Sequence, residues 1–166
     1  MFKAIIKLLF GLGVTRKTIT DETLGKIEYI SFKSPSYKYE NCELKYNFKP
    51  TESLICVSFS CGVVGPTLSQ KEFLKSIESQ YDSLVTAIQT FYKNEIENTQ
   101  LKVFDLDLKK DFKLTSISIT GDDRSTGISW SLYFDSTHNK KLRLNVSFFQ
   151  FNIEELSLDF YKEERL

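Results

Sequence analysis

Apolar and polar residues alternate with period two over most of this chain, and one long stretch in the middle switches to spacings of three and four. Cys42, Leu44, Tyr46 and Phe48 alternate with Glu43, Lys45, Asn47 and Lys49, which predicts a strand with one face in a core and one in water. Residues 54–61 divide in the same way, with Ile55, Val57, Phe59 and Cys61 on one face and Leu54, Cys56, Ser58 and Ser60 on the other. Residues 27–32 read as a strand that is mixed on both faces. After the central stretch the alternation returns. Phe104, Leu106 and Leu108 are set against Asp105 and Asp107, and residues 114–119 follow. Next come Ile128, Trp130, Leu132 and Phe134, then Leu142, Leu144, Val146 and Phe148, and finally Leu156, Leu158 and Phe160. Polar connections at residues 121–127 and around His138 predict hairpins, and therefore an antiparallel meander.

The central stretch places Phe73, Leu74, Ile77, Tyr81, Leu84, Val85, Ile88, Phe91 and Tyr92 on one stripe, which predicts an amphipathic helix over about 69–97. At 1.5 Å per residue it would run roughly 40 Å and needs a sheet to lie on. Ser69 and Glu72 fit a capping box, with Leu68 and Phe73 as the hydrophobic staple. The preceding run SCGVVGPTLS is therefore expected to be a corner rather than an active site. Cys61 shares the core-facing side of its strand, where burial raises a thiol pKa and quenches reactivity. No G-x-x-x-x-G-K-[ST] or G-x-G-x-x-G pattern accompanies its glycines. The fold class expected is α+β: a largely antiparallel sheet, strands before and after, packed on one long helix within a single domain at 20–166. Residues 1–14 would form a short amphipathic helix, in which Phe2, Ile5, Ile6, Leu8, Leu9 and Phe10 are apolar and Lys3 and Lys7 lie four apart. That segment is too short to span a bilayer. It is expected to dock on the domain, with weak membrane-surface association through residues 1–10 as the other use of such a pattern.

Composition changes the picture in three ways. A 166-residue chain with 41% hydrophobic residues suits one ordinary globular domain. The 14 Phe and 8 Tyr favour sheet. Net charge is 0, which argues against a nucleic-acid partner. Yet through Pro50 nine Lys/Arg outnumber five Asp/Glu, and the rest of the chain carries the opposite excess. Three cysteines, Cys42, Cys56 and Cys61, have no metal-ligand spacing, and an odd number does not complete a disulfide framework. They read as reduced thiols, and the compartment as cytoplasmic.

Chemistry is sparse. His138, the sole histidine, falls in a polar turn, and neither G-x-S-x-G nor H-E-x-x-H occurs. Asp105, Asp107 and Asp111 suggest a cation site, but Lys109 and Lys110 stand where a calcium loop needs an oxygen ligand and a glycine. Solvent-facing charges on a strand are the expectation. Asn145-Val-Ser147 matches a glycosylation sequon by pattern alone. No catalytic, cofactor-binding or metal-binding residue emerges, and the chain is not expected to be an enzyme. Asp122, Asp123, Glu154 and Glu155 at expected turns, with Tyr133, are the candidate partner-binding residues.

Residues 25–33, the corner at 60–69 and the capped helix from Ser69 through Asn94 together resemble small bacterial immunity proteins of contact-dependent growth inhibition and other polymorphic toxin systems, over about residues 20–160. That resemblance implies a cytoplasmic, non-catalytic antitoxin that binds a cognate protein toxin by direct contact. The alternative is a small-ligand or lipid-binding domain with an aromatic-lined cavity between sheet and helix.

Overall fold

The computed structural model describes residues 13–34, 37–99, 107–121 and 127–160. Eight strands form one sheet in chain order: β1 (Gly13–Asp21), β2 (Gly25–Ser34), β3 (Tyr37–Phe48), β4 (Ser53–Ser60), β5 (Phe112–Ile119), β6 (Ser129–Ser136), β7 (Leu142–Phe149) and β8 (Asn152–Phe160). All neighbours are antiparallel except β4 and β5, which run parallel. A parallel pair needs a crossover, and the long helix α1 (Leu68–Thr99) lies within it. The α+β reading and the largely antiparallel sheet with one long helix are thus present.

Period two decides which face is covered. Ile27, Leu44, Val57, Ile117, Leu132 and Val146 are buried on the inner face, as is the apolar stripe of α1 from Phe73 to Tyr92. Aromatic rings join the two layers: Phe73 sits edge-on to Trp130 at 5.8 Å, and Phe48 edge-on to Tyr81 at 5.1 Å. Polar contacts fix the helix along its length. Tyr46 donates its hydroxyl hydrogen to Glu78 at 3.0 Å, and burial with that carboxylate pushes the Tyr46 pKa up to about 12.

Several expectations are corrected. Residues 1–12 of the expected N-terminal helix lie outside the described residues, while Gly13 and Val14 open β1. The domain therefore begins before residue 20. The helix cap lies two residues earlier than expected, because Thr67 and Gln70 form the reciprocal box. The Gln70 backbone N–H donates to Thr67 Oγ1 at 3.2 Å, and the Thr67 N–H donates to Gln70 Oε1 at 2.9 Å. Gln70 is wholly buried and its Nε2 also donates to the Ser60 carbonyl, which ties helix start to strand end. Leu68 is 65% exposed and staples nothing. Residues 104–106 of the expected strand lie outside the described residues, and Leu108 belongs to a single helical turn, α2 (Leu108–Asp111), capped by Asp107.

The cysteines are the largest correction. Cys42 on β3 and Cys61 at the corner form a disulfide, with Cα atoms 5.9 Å apart, and Cys56 alone keeps its thiol. The face assignment for Cys61 holds, since both sulfurs sit in the core. The odd count concealed a pair because the third cysteine points to the other face of the sheet.

One ion pair joins the β1–β2 turn to the helix. Lys71 Nζ lies 2.7 Å from Asp21 Oδ2, both side chains largely shielded from water. That hydrogen bond, with N–H donors from Leu24 and Thr23, holds the Asp21 carboxyl below its ordinary value against the opposing effect of burial. A depressed carboxylate pKa adds stability above the ordinary carboxylate range that is lost as pH falls through the folded value. Asp21→Asn is expected to cost on the order of 1 kcal/mol at neutral pH and nothing at the acid end. Urea midpoints measured from pH 7 down to pH 3 would show the two proteins converging, and parallel curves would contradict it.

Candidate functional site

The outer face of the sheet is covered by no described element, and from β4 to β8 its surface is built mainly from small polar residues. In β4 through β8 the side chains alternating with the core are Ser58, Ser116, Ser118, Ser131, Tyr133, Asn145, Ser147, Glu155 and Ser157. Register arranges them in rows. Glu28, Glu43, Ser58, Ser118, Ser131, Ser147 and Glu155 stand side by side from β2 to β8. The next row is Lys45, Cys56, Ser116, Tyr133, Asn145 and Ser157. Four serines thus form a low floor with carboxylates at both ends, and Tyr133 stands in the neighbouring row.

Serine serves both sheet and surface here. Its short side chain keeps the backbone close to the surface, and its hydroxyl both donates and accepts. Ser131 and Ser147 Oγ atoms are 3.3 Å apart across β6 and β7. Asn145 Oδ1, beside Tyr133, is buried and has no hydrogen-bond partner among the described residues. The floor ends on an ion pair, with Arg143 Nε donating to Asp135 at 2.8 Å. Cys56 lies in the same field, but burial first and the Glu43 carboxylate second push its thiol pKa up, with Lys45 opposing, so it is a poor nucleophile.

The five expected partner-binding residues divide. Tyr133 and Glu155 share the outer face. Glu154 occupies the irregularity where pairing shifts between Ser147 and Phe148, at the exposed edge strand. Asp122 and Asp123 lie outside the described residues. The serine rows are hidden in the sequence because period two marks the core first and leaves the polar positions only as its complement. The signal was present, since Ser58, Ser116, Ser118, Ser131 and Ser147 recur at the polar positions of four strands.

Other candidates resolve into structure. Asp107 caps α2, and Asp111 accepts from the Asp107 backbone N–H at 3.1 Å and meets His138 Nε2 at 3.1 Å. These contacts, the backbone one foremost, hold the Asp111 carboxyl below its ordinary value. Among the described residues no group of three His, Cys, Asp or Glu could hold a metal ion. Between helix and sheet the aromatic rings pack on one another. A surface cleft of about 380 Å³ opens instead beside Thr51, Asp82, Leu108 and Lys113, and Lys109 already pairs with Asp82 at its rim. No described helix is long and apolar enough to cross a membrane.

Comparison with known proteins finds no matching family, no matching curated protein and no matching solved structure.

Proposed function

We propose that this chain is a non-catalytic protein-binding module that receives its partner on the outer face of the sheet, and that it acts as an immunity protein against a cognate toxin domain. The observation that carries this reading is the composition of the uncovered face: Tyr133 beside a floor of serine and asparagine. Antibody-type binding surfaces use the same combination, with tyrosine as a rigid amphipathic anchor and Ser and Asn as adaptable hydrogen-bonding groups. The face is also large enough. Eight strands about 4.8 Å apart and about eight residues long present roughly 900 Å², against about 800 Å² per partner in a standard interface. Glu43 and Glu155 toward its ends favour a partner with a basic rim, whose encounter they would steer, while Glu28 is already paired with Arg16 at 2.8 Å.

The disulfide bears on the compartment. Structural disulfides persist in oxidising compartments and are rare in a reducing cytoplasm, so Cys42–Cys61 favours action outside the cytoplasm. The cytoplasmic reading requires that bond to be open in cells. Acid quenching of intact cells, followed by denaturation and alkylation without reductant, separates the two: one alkylated cysteine supports the first and three support the second.

The functional test is titration calorimetry of the purified protein against the products of neighbouring open reading frames, starting with any that is toxic when expressed alone. A one-to-one complex is expected, weakened at least tenfold by Tyr133→Ala and by Ser131→Arg, neither of which touches the core. A complex indifferent to both substitutions would place the contact elsewhere. No complex with any neighbour would remove the immunity reading.

A further inference from the structure

The sheet is not closed along its whole length. β4 begins at Ser53 and β5 at Phe112, but the parallel ladder between them joins only Cys56–Phe59 to Ser116–Ile119. Before that ladder starts, each strand is held by its antiparallel neighbour alone, Ser53–Ile55 by β3 and Phe112–Leu114 by β6, so the seam stands open. The cleft of about 380 Å³ lies at this opening, lined from β4 by Ser53, from β5 by residues 112–114, and from α1 and α2 by side chains of both helices. Phe112, Lys113 and Leu114 point alternately to the two faces of the sheet, yet all three line it, because no strand covers the β4 side of β5 there. Its volume falls within the range of small-molecule sites.

Leu108, Phe112 and Leu114 are buried and give the cleft an apolar wall. Two polar groups on its lining are unspent. Tyr81 is only 7% exposed and its ring packs edge-on against Phe48, yet its hydroxyl has no hydrogen-bond partner among the described residues. Burial first, and the Asp82 carboxylate second, push its pKa up to about 12, so at neutral pH the phenol stays protonated and offers a donor. Lys113 has no ion-pair partner among the described residues, whereas Lys109 is neutralised by Asp82 at 2.8 Å. An unpaired cation and an unmet donor therefore stand beside an apolar wall. We propose that this cleft binds a small organic acid, with its carboxylate held by Lys113 and the Tyr81 hydroxyl and its apolar body laid against Leu108, Phe112 and Leu114. An inorganic anion would leave the wall unused, and a neutral apolar molecule would bury the phenol without satisfying it, which is costly. The site takes a small molecule and is tested on the protein alone, so this inference stands whether or not the serine rows receive a toxin.

The test is a heteronuclear NMR titration of the full-length protein with naphthoate, phenylpropionate and octanoate, each beside its uncharged primary amide. At least one acid is expected to shift the backbone signals of Ser53, Asp82, Lys113 and Leu114 with a Kd of about 1 mM or tighter, the affinity that ligand efficiency sets for molecules of this size. Its amide should bind about tenfold more weakly, and Lys113→Met and Tyr81→Phe should each weaken the acid by about the same factor, the loss of one charge-assisted hydrogen bond. Tyr81→Phe keeps the ring that packs on Phe48, and Lys113→Met alters an exposed side chain, so either variant carries the test should the other fail to fold. Silence of these signals with all three acids, shifts indifferent to both substitutions, or equal binding of acid and amide would overturn the proposal. Shifts confined to Ser131, Tyr133 and Asn145 would also overturn it and move the acid to the outer face.

Discussion

Trp130→Ala is expected to remove about 3–5 kcal/mol of unfolding free energy, the range for deleting a buried aromatic residue. Trp130 is 1% exposed and lies where the second half of the sheet meets the helix. Its indole stacks on Phe148 with ring centroids 4.2 Å apart and planes within 12°, and Phe73 of α1 and Phe151 approach it edge-on. Truncation therefore opens a cavity between three rings that belong to β7, to α1 and to the β7–β8 turn. It also removes the indole N–H that donates to the Gln150 carbonyl, leaving that acceptor without its partner, a loss of about 1–3 kcal/mol where water cannot reach it. Trp130→Phe separates the two effects, because it keeps most of the packing and loses only the donor. Equilibrium urea unfolding followed by far-UV circular dichroism is the suitable measurement, since Trp130 is the only tryptophan and its fluorescence disappears with it. A loss below about 1 kcal/mol in Trp130→Ala would mean that the ring cluster does not hold the helix to the second half-sheet.

The position of Trp130 was legible in the sequence because it shares a period-two face with Ile128, Leu132 and Phe134. The same holds for β3, β4, β6 and β7, where one face is buried and one wet and the alternation is clean. β1 was not legible. In VTRKTITD the inner positions of an edge strand, Thr15, Lys17 and Ile19, are mostly polar, so the period carries no hydrophobic signal. The strong apolar run just before it drew the boundary in the wrong place. The helical turn Leu108–Asp111 was misread for a related reason: Leu108 is buried and falls in step with Leu106, but Asp107 accepts from the Lys110 N–H and starts a turn instead of continuing a strand. Capping chemistry was legible in kind and wrong in position. Both Thr67-x-x-Gln70 and Ser69-x-x-Glu72 satisfy the box pattern, and the choice between them was made by Gln70, whose amide reaches the Ser60 carbonyl across the corner.

The candidate site was legible only in part. Tyr133 stood out as a tyrosine on a polar face, and Glu155 as an acidic residue near a turn, but nothing local places them in adjacent rows of one surface. That adjacency comes from register across β6, β7 and β8, and register is set by turns and bulges that a single sequence underdetermines.

Breaking the Cys42–Cys61 disulfide is expected to cost about 3 kcal/mol, the loop-closure value for a cross-link of this span, here 19 residues. The bond closes β3 and β4 into a loop whose far end is the corner leading into α1. Its loss acts mainly on the unfolded chain, which gains the conformational freedom that the cross-link had removed. In the folded state the strands stay paired by their own ladder from Asn41–Ser60 to Phe48–Ser53, and Gln70 still anchors the helix start to Ser60. The fold should therefore survive with lower stability and a larger dependence on denaturant, since the unfolded chain exposes more surface. Dithiothreitol should shift the urea midpoint of the wild type downward and leave that of the Cys42→Ser/Cys61→Ser double variant unchanged. Thiol titration of the unreduced, denatured wild type should find a single reactive group, Cys56. Three thiols, or a midpoint indifferent to reductant, would show that the two core sulfurs are not bonded in solution. In that case the corner would be held by Gln70 and packing alone, and the argument for an oxidising compartment would fall with the bond.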